Sequence, residues 1–314
     1  MVIFFCYYFI QPIFLSGVFM SLTRLTVLGA GVLGSQIAFQ ASFYGIQVIS
    51  YDISEDALKQ AKGRYDALVN DYKKDLGATD EQINQAFANL TLSSDLAEAV
   101  KNADIIIEAV PENLELKKKI WSEVGQLAPA HTIFATNTST LLPSSFNDAC
   151  GDKSRFLALH FANRIWVQNI VEVMGTSDTN PDVVKATEDF AKQMGMVPIV
   201  LHKEQAGYII NSLLVPFLHA ASHLLAKDVA NPKDIDKVWR MASGSPKGPF
   251  EAMDTIGLRT VYTIHSAKAE ATGDPLAARF VEILKNDYLD KGRMGRESRA
   301  GFYDYDENGE VILD

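Results

Sequence analysis

Two ionisable side chains near the middle of the chain, His160 and Glu172, have the types and spacing for acid–base chemistry. His160 ends the apolar run Phe156–His160, and Glu172 lies in the next such run, Val171–Met174; both runs predict strands. In α/β sheets, ligands bind at the carboxyl ends of strands. If the two strands are neighbours, Glu172 orients the imidazole and His160 acts as a general base on a hydroxyl group. On spacing alone, a core histidine and a surface glutamate explain the pattern equally well.

Ser139 and Asn211 are polar residues that would complete such a site. Ser139 follows the predicted strand Thr132–Ala135, and its alternative role is a turn residue or helix N-cap. Asn211 lies in the apolar helix predicted at Tyr208–Leu225, where its amide would face a cleft between domains; a buried amide with a local partner is the alternative. Both would donate hydrogen bonds to the reacting oxygen or its neighbour.

No metal site is predicted. His219 and His223 share a helix face at i and i+4, but no third ligand is evident nearby, so we interpret the pair as structural. Cys6 and Cys150 are far apart in the sequence and indicate neither a disulfide framework nor a zinc site. This cysteine usage fits a reducing compartment, and we expect a cytoplasmic protein.

A glycine-rich turn, GAGVLG from Gly29 to Gly34, joins the predicted strand Leu25–Leu28 to a predicted helix, Ser35–Tyr44. A second predicted strand then ends at Asp52. The order of strand, glycine turn, helix, strand and acid is the context that a dinucleotide-binding fingerprint requires. It predicts a Rossmann-type domain.

Each part of this fingerprint has a physical task. Gly29 permits the tight turn, Gly31 lets the backbone approach a pyrophosphate, and Gly34 allows the helix to pack closely on the sheet. Asp52 would accept hydrogen bonds from the ribose and repel the extra phosphate of NADP, which favours NAD. FAD is a minor alternative, because no further flavin-binding sequence is present. The predicted cofactor-binding residues are Gly29, Gly31, Val32, Leu33, Gly34 and Asp52.

Short apolar runs alternate with amphipathic stretches from Arg24 to about His202, which predicts an α/β fold with a doubly wound parallel sheet. Residues Ala57–Thr91 are more than one crossover helix needs, and we interpret them as a protruding helical pair. The predicted strands are Leu25–Leu28, Gln47–Tyr51, Ile105–Ala109, Thr132–Ala135, Phe156–His160, Val171–Met174 and Pro198–Leu201.

A chain of 314 residues suits two domains. We predict an NAD-binding domain at 20–204 and an all-helical dimerisation and substrate domain at 205–314, because residues 207–289 are almost entirely helix-compatible. Residues 1–19 carry no charge and lack the flanking signals of a signal peptide or membrane anchor. We interpret them as a leader added by a wrong start assignment, with the true start at Met20; a membrane segment is the alternative.

The composition, with 47% apolar and 22% charged residues, is that of a globular protein. The net charge is −10 and the longest basic run is Lys117–Lys119, so neither a nucleic-acid partner nor a membrane partner is expected.

Motifs spread from Leu22 to Tyr305 resemble the L-3-hydroxyacyl-CoA dehydrogenase family, in particular its 3-hydroxybutyryl-CoA dehydrogenases. They are VLGAGVLGSQIA, EAVPENLELK, NTSTL, LHF-x-N, IVEVM, GYIINSLLVPF and GPFEAMDTIGL. The resemblance implies that Ser139, His160, Glu172 and Asn211 occupy the family's catalytic positions. It also implies cofactor contacts at Asp52, Glu112, Lys117 and Asn137, and a homodimer formed through the helical domain.

One segment departs from the family pattern. Where the family has a Phe-Asn-Pro stretch after the histidine, this chain has Arg164 and then Trp166. Our hypothesis is that Trp166 shortens the substrate pocket and Arg164 pairs with an anionic group of the substrate. A repacked loop that leaves specificity unchanged is the alternative.

The leading functional hypothesis is NAD-dependent oxidation of a short-chain L-3-hydroxyacyl-CoA to the 3-ketoacyl-CoA, a reaction of fatty acid metabolism, with His160 as base. A dehydrogenase of a free hydroxy acid, resembling gulonate or carnitine dehydrogenases, is the alternative. A silent NAD-binding protein is disfavoured, because all four catalytic-type residues are present.

Overall fold

The computed structural model describes residues 22–307 and 309–312. The chain divides into two compact units, with the boundary between Tyr208 and Ile209. The leader expected at residues 1–19 and the start expected at Met20 lie outside the described residues.

The described part of the first unit contains one eight-stranded sheet, in the order β3-β2-β1-β4-β5-β6-β7-β8. Its strands are β1 (Arg24–Leu28), β2 (Gln47–Tyr51), β3 (Leu90–Ser93), β4 (Ile105–Glu108), β5 (Ile133–Thr136), β6 (Phe156–Phe161), β7 (Ile170–Gly175) and β8 (Val197–Leu201). All neighbouring strands are parallel except β6 and β7, which are antiparallel. The predicted doubly wound Rossmann-type fold is confirmed, whereas the expectation of a fully parallel sheet is wrong at this one pair.

Six helices of the first unit supply apolar faces that cover the sheet. They are α1 (Val32–Phe43), α2 (Glu55–Leu76), α3 (Asp80–Ala88), α4 (Leu96–Val100), α5 (Leu114–Leu127) and α6 (Pro181–Gln193). Residues of α1, α2, α3 and α6 share one hydrophobic cluster with the strands, and residues of α4 and α5 share another. The sheet is therefore buried on both faces, as its unbroken apolar strands predict.

The helical pair predicted at Ala57–Thr91 exists as α2 and α3, but its predicted end is wrong. Ser54 caps α2 and Thr79 caps α3, each accepting a hydrogen bond from a backbone N–H of the first turn. Leu90–Ser93, however, is the edge strand β3, which pairs with β2. Its four residues are too short for a clear alternation of apolar and polar positions, so only the pairing identifies it.

The second unit is helical, as predicted, and continues from α7 (Tyr208–Ala226), whose first residue closes the first unit. The other helices are α8 (Pro232–Ser243), α9 (Pro249–Ile256), α10 (Leu258–Thr272) and α11 (Pro275–Ile283), which runs on into a π-helical turn at Leu284–Tyr288. The C-terminal segment is anchored by Asp254, whose carboxylate accepts hydrogen bonds from the backbone of Phe302 and Tyr303. Phe302, Tyr303 and Tyr305 thereby join the core of this unit.

Candidate active site

His160 and Glu172 are directly opposite each other in the antiparallel pair of β6 and β7. Nδ1 of His160 lies 3.0 Å from Oε2 of Glu172, and both residues are at least 95% buried, with exposed fractions of 5% and 4%. Because an ionised carboxylate only accepts hydrogen bonds, the imidazole carries its proton on Nδ1. Nε2 is then left as an acceptor, which is the protonation state of a general base.

Ser139 faces that acceptor, with its Oγ 3.2 Å from Nε2 of His160. β5 ends at Thr136 and runs parallel to β6, so the loop after β5 lies beside the carboxyl end of β6. Glu112 fixes this loop by accepting hydrogen bonds from the Thr138 hydroxyl and the backbone N–H groups of Ser139 and Thr140. The three residues Ser139, His160 and Glu172, predicted from separate parts of the sequence, form one hydrogen-bonded chain.

Burial lowers the pKa of His160 below its ordinary value of 6.5, although the hydrogen bond and charge of Glu172 act in the opposite direction. The imidazole is therefore neutral at neutral pH. A neutral, oriented imidazole can take a proton from a substrate hydroxyl at Nε2, while the carboxylate stabilises the imidazolium that results.

Tyr208 is a residue of this site that the sequence analysis missed. Its ring stacks on the His160 imidazole with 4.2 Å between centroids and 8° between planes. Its hydroxyl donates a hydrogen bond to the carbonyl oxygen of Thr138, 2.8 Å away, and burial raises the pKa of the phenol, so it remains a donor. Tyr208 therefore connects the imidazole to the loop that carries Ser139. Nothing in its local sequence distinguishes it from any aromatic residue of an apolar helix.

Asn211 lies in the first turn of α7 and belongs to the second unit. Its catalytic role stays a prediction.

The predicted cofactor turn lies at the edge of a cavity of about 560 Å³ at the carboxyl ends of β1, β2 and β4. β1 has β2 on one side and β4 on the other: β2 and β3 extend the sheet in one direction, and β4 and the later strands extend it in the other. Ligands of open α/β sheets bind at such a switch point. Of the predicted cofactor residues, Gly29, Gly31 and Asp52 line the cavity.

The three glycines of the turn meet different surroundings. Gly29 has φ +100°, and a Cβ at Gly34 would come within 1.9 Å of the carbonyl oxygen of Gly29, so the turn and the start of α1 pack too closely for a side chain. A Cβ at Gly31 would meet nothing within 4 Å. That open space lies at the N-terminus of α1, where the backbone N–H groups of Val32 and Leu33 have no partner inside the helix. This arrangement fits a pyrophosphate.

Asp52 follows β2 and holds the turn in place. Its Oδ2 accepts a hydrogen bond from the backbone of Ala30 at 2.8 Å, and its Oδ1 accepts one from Ile53 at 2.9 Å. The carboxylate is thus fixed at the cavity wall, where an adenine ribose of a dinucleotide would lie.

Glu112, Lys117 and Asn137, the cofactor contacts implied by the family resemblance, already have partners within the protein. Lys117 is 1% exposed, and its Nζ lies 2.6 Å from Oε1 of Glu108. Glu112 has a pKa lowered to about 2: burial opposes ionisation, but hydrogen bonds from Thr138 and Thr140 and the Lys117 charge outweigh it. Asn137 accepts a hydrogen bond from the backbone of Phe161. These contacts position the loop, and the contact of the three residues with the cofactor stays a prediction.

Arg164 and Trp166 contact the helical pair instead of an open pocket. Nη2 of Arg164 and Nε1 of Trp166 each lie 2.8 Å from Oδ2 of Asp75 on α2. Trp166 is 7% exposed and its ring packs on Tyr72 in the hydrophobic core. Trp166 is therefore packed in the core, and Arg164 is half-exposed and paired with Asp75, an arrangement that favours the repacked-loop alternative. The substrate roles of the two residues stay predictions.

The two units match two domain descriptions of one family. Residues 24–205 match the 3-hydroxyacyl-CoA dehydrogenase NAD binding domain, and residues 207–305 match the 3-hydroxyacyl-CoA dehydrogenase C-terminal domain. The human mitochondrial hydroxyacyl-coenzyme A dehydrogenase is 35% identical over 291 residues, covering 90% of this chain and 91% of its own. A probable 3-hydroxybutyryl-CoA dehydrogenase of Bacillus subtilis is 31% identical, covering 92% and 99%.

Solved structures are similar along the same length. A diketoreductase, described as performing substrate-directed dual catalysis of dicarbonyl compounds, is 52% identical with a TM-score of 0.86, covering 91% of this chain and 99% of its own. The (S)-3-hydroxybutyryl-CoA dehydrogenase of Ralstonia eutropha is 28% identical with a TM-score of 0.78, covering 91% and 100%.

Proposed function

This chain belongs to the 3-hydroxyacyl-CoA dehydrogenase family, and we propose that it oxidises a short-chain L-3-hydroxyacyl-CoA to the 3-ketoacyl-CoA with NAD. The observation that carries the catalytic part of the proposal is the hydrogen-bonded chain from Glu172 through His160 to Ser139. Hydride acceptance is the chemistry that NAD supplies when bound.

The protein's own residues handle the proton. The substrate hydroxyl gives its proton to Nε2 of His160, and the imidazolium is stabilised by Glu172 through Nδ1. When the substrate hydroxyl takes its place at Nε2, the Ser139 hydroxyl donates a hydrogen bond to the reacting oxygen. Asn211 is proposed as a second donor. Removing the proton as the carbonyl forms lets the hydride leave without building an unfavourable cation on the substrate.

The test is whether turnover of the thioester depends on His160. Purified protein is mixed with NADH and acetoacetyl-CoA, and the fall in NADH absorbance is followed for the wild type and for His160→Ala. We expect turnover that falls about 10²–10⁴-fold in the variant, the range that a general acid–base group contributes. Equal rates in both proteins would contradict the role of His160.

A second candidate function, reduction of a small dicarbonyl compound that is not a CoA thioester, is favoured by the 52% identity to the diketoreductase. The same proton and hydride chemistry applies, because only the group beside the carbonyl differs. Parallel assays with acetoacetyl-CoA, free acetoacetate and an uncharged diketone distinguish the two. The assay with free acetoacetate also tests the free hydroxy acid alternative, for which the relevant residue, Arg164, is paired with Asp75 in the described structure.

We also infer a homodimer formed through the helical unit. Large apolar side chains are exposed there, including Leu213 at 69%, Val238 at 68% and Met241 at 78%. Packing against a second copy would remove such apolar side chains from water, which favours association. Light scattering of the wild type and of Met241→Glu would measure the oligomeric state; a monomeric wild type would contradict the inference.

α7 is long and apolar enough to span a membrane by length and composition alone, a test that core helices of soluble proteins also pass.

The roles in fatty acid metabolism and the cytoplasmic location stay predictions.

A further inference from the structure

Four ionisable residues of the helical unit meet at one place that the proposed dehydrogenase chemistry does not use. His219 and His223 are one turn apart on α7, and their ring centroids lie 4.0 Å from each other. Asp274, the N-cap of α11, brings Oδ2 to 3.1 Å from Nε2 of His223. One ligand atom from each of the three residues lies within 4.8 Å of the others. Asp274 is therefore the third ligand that the sequence did not reveal, 51 positions from His223.

Two ring nitrogen atoms in this cluster lack hydrogen-bond partners within the described structure. Nε2 of His219 and Nε2 of His223 are buried and unpaired, and the 3.1 Å approach of His223 to Asp274 lacks the geometry of a hydrogen bond. Oδ1 of Asp274 is occupied in capping Leu276, which leaves Oδ2 directed to the histidines. Two imidazole nitrogens and a carboxylate oxygen that converge without sharing hydrogens are the arrangement that a cation requires.

His265 extends the cluster from α10. Its ring lies parallel to that of His219, with 6° between planes and 6.1 Å between centroids. The residue is 7% exposed, and its Nδ1 is also buried without a partner in the described residues. The charge of Lys268 acts on both His219 and His265, and at His219 the Asp274 carboxylate opposes it.

We propose that His219, His223 and Asp274 form a binding site for a divalent transition metal of the zinc class, with water or His265 as the fourth ligand. Zinc takes imidazole nitrogen at about 2.0–2.1 Å and carboxylate oxygen at about 2.0–2.2 Å, so tetrahedral ligands are roughly 3.4 Å apart. The observed separations need only small side-chain rotations to reach that value. Magnesium and calcium are poor candidates, because both prefer all-oxygen ligand sets. A bound ion would connect α7 to the start of α11.

The test uses untagged full-length protein, treated with a chelator and dialysed. Titration calorimetry with ZnCl₂ should give one saturable site per chain, and Co²⁺ should produce the intense visible absorption of a four-coordinate ion. Thermal unfolding should shift to higher temperature with Zn²⁺, since a ligand that binds only the folded state stabilises it. Absence of both the saturable site and the Co²⁺ absorption in the wild type overturns the proposal.

Two variants and a control locate the site. His219→Asn removes a ligand, and Asp274→Asn removes the carboxylate charge while keeping a side chain that caps helices well. Each should weaken Zn²⁺ binding at least about tenfold, the lower limit for loss of even an outer partner of a metal. His202→Asn, at an exposed histidine of the first unit, should bind as the wild type does. Equal affinity in His219→Asn and the wild type would place the ion elsewhere and refute the assignment.

Discussion

His160 on β6 and Glu172 on β7 are cross-strand partners, and Nδ1 of one lies 3.0 Å from Oε2 of the other. Partners directly opposite in an antiparallel pair have side chains on the same face of the sheet. The antiparallel direction of β7 therefore sets the orientation of the imidazole. Parallel strands need a crossover connection of about a dozen residues or more. A parallel β7 could therefore not place Glu172, only twelve positions beyond His160, directly opposite it.

The pH dependence of the reaction should report this pair. Because burial lowers the pKa of His160, oxidation should persist below pH 6.5 and fall only at lower pH, as Nε2 becomes protonated. Glu172 raises that pKa, so Glu172→Gln should move the acid limb of kcat/KM to still lower pH while reducing kcat at every pH. An acid limb that moves to higher pH in the variant would contradict the assigned contact. Far-UV circular dichroism controls for folding.

The stacking of Tyr208 on His160 predicts different kinetic effects for two substitutions of Tyr208. Tyr208→Phe keeps the ring and loses only the hydrogen bond to Thr138, so we expect a reduction of kcat within about tenfold, the size of one neutral hydrogen bond. Tyr208→Leu removes the aromatic face and should lower kcat further and displace the acid limb of the pH profile. Identical pH profiles in all three proteins would mean that Tyr208 has only a packing role.

Gly31→Ala and Gly34→Ala should separate cofactor binding from stability. A Cβ at Gly31 meets open space, so no packing is disturbed, and the free energy of unfolding should fall by only about 1 kcal/mol or less, because alanine is a poorer N-cap than glycine. NADH affinity should nevertheless fall at least about tenfold, because the methyl group occupies the approach of the pyrophosphate. Fluorescence titration with NADH measures this.

Gly34→Ala should act on the fold itself. The new Cβ would come within 1.9 Å of the Gly29 carbonyl oxygen, so α1 must shift from the sheet. Overpacking of this kind costs typically about 1–3 kcal/mol. Urea unfolding should show a larger loss for Gly34→Ala than for Gly31→Ala; the reverse order would refute the assigned contacts.

Asp75 should matter for stability more than for substrate specificity. Asp75→Ala leaves the buried Trp166 Nε1 without its acceptor, and an unsatisfied buried donor costs about 1–3 kcal/mol. In a double-mutant cycle, Trp166→Phe should make Asp75→Ala less costly, because the donor is gone.

Arg164→Ala, at a half-exposed ion pair, should change stability by less than about 1 kcal/mol and leave KM unchanged. A large change in KM would support the substrate role of Arg164 and contradict the repacked-loop interpretation.

The sequence by itself determined the type of fold and most of the chemistry. Local signals were sufficient for the glycine turn, the acid at Asp52, seven of the eight strands in the described residues, and the change to helices in the second half. Each of these signals lies within a short window, because helix periodicity, apolar runs and glycine turns are properties of neighbouring residues. Ser139, His160 and Glu172 were recognisable because each follows or occupies a predicted strand.

Tertiary structure decided what depends on contacts between distant segments. The edge strand β3, the antiparallel direction of β7, the stacking of Tyr208 on His160 and the attachment of Trp166 to Asp75 each join residues far apart in the sequence. The same holds for the approach of Asp274 to His223. Strand pairing and side-chain packing are chosen by the whole chain as it buries apolar surface and satisfies buried polar groups, so no local pattern encodes them.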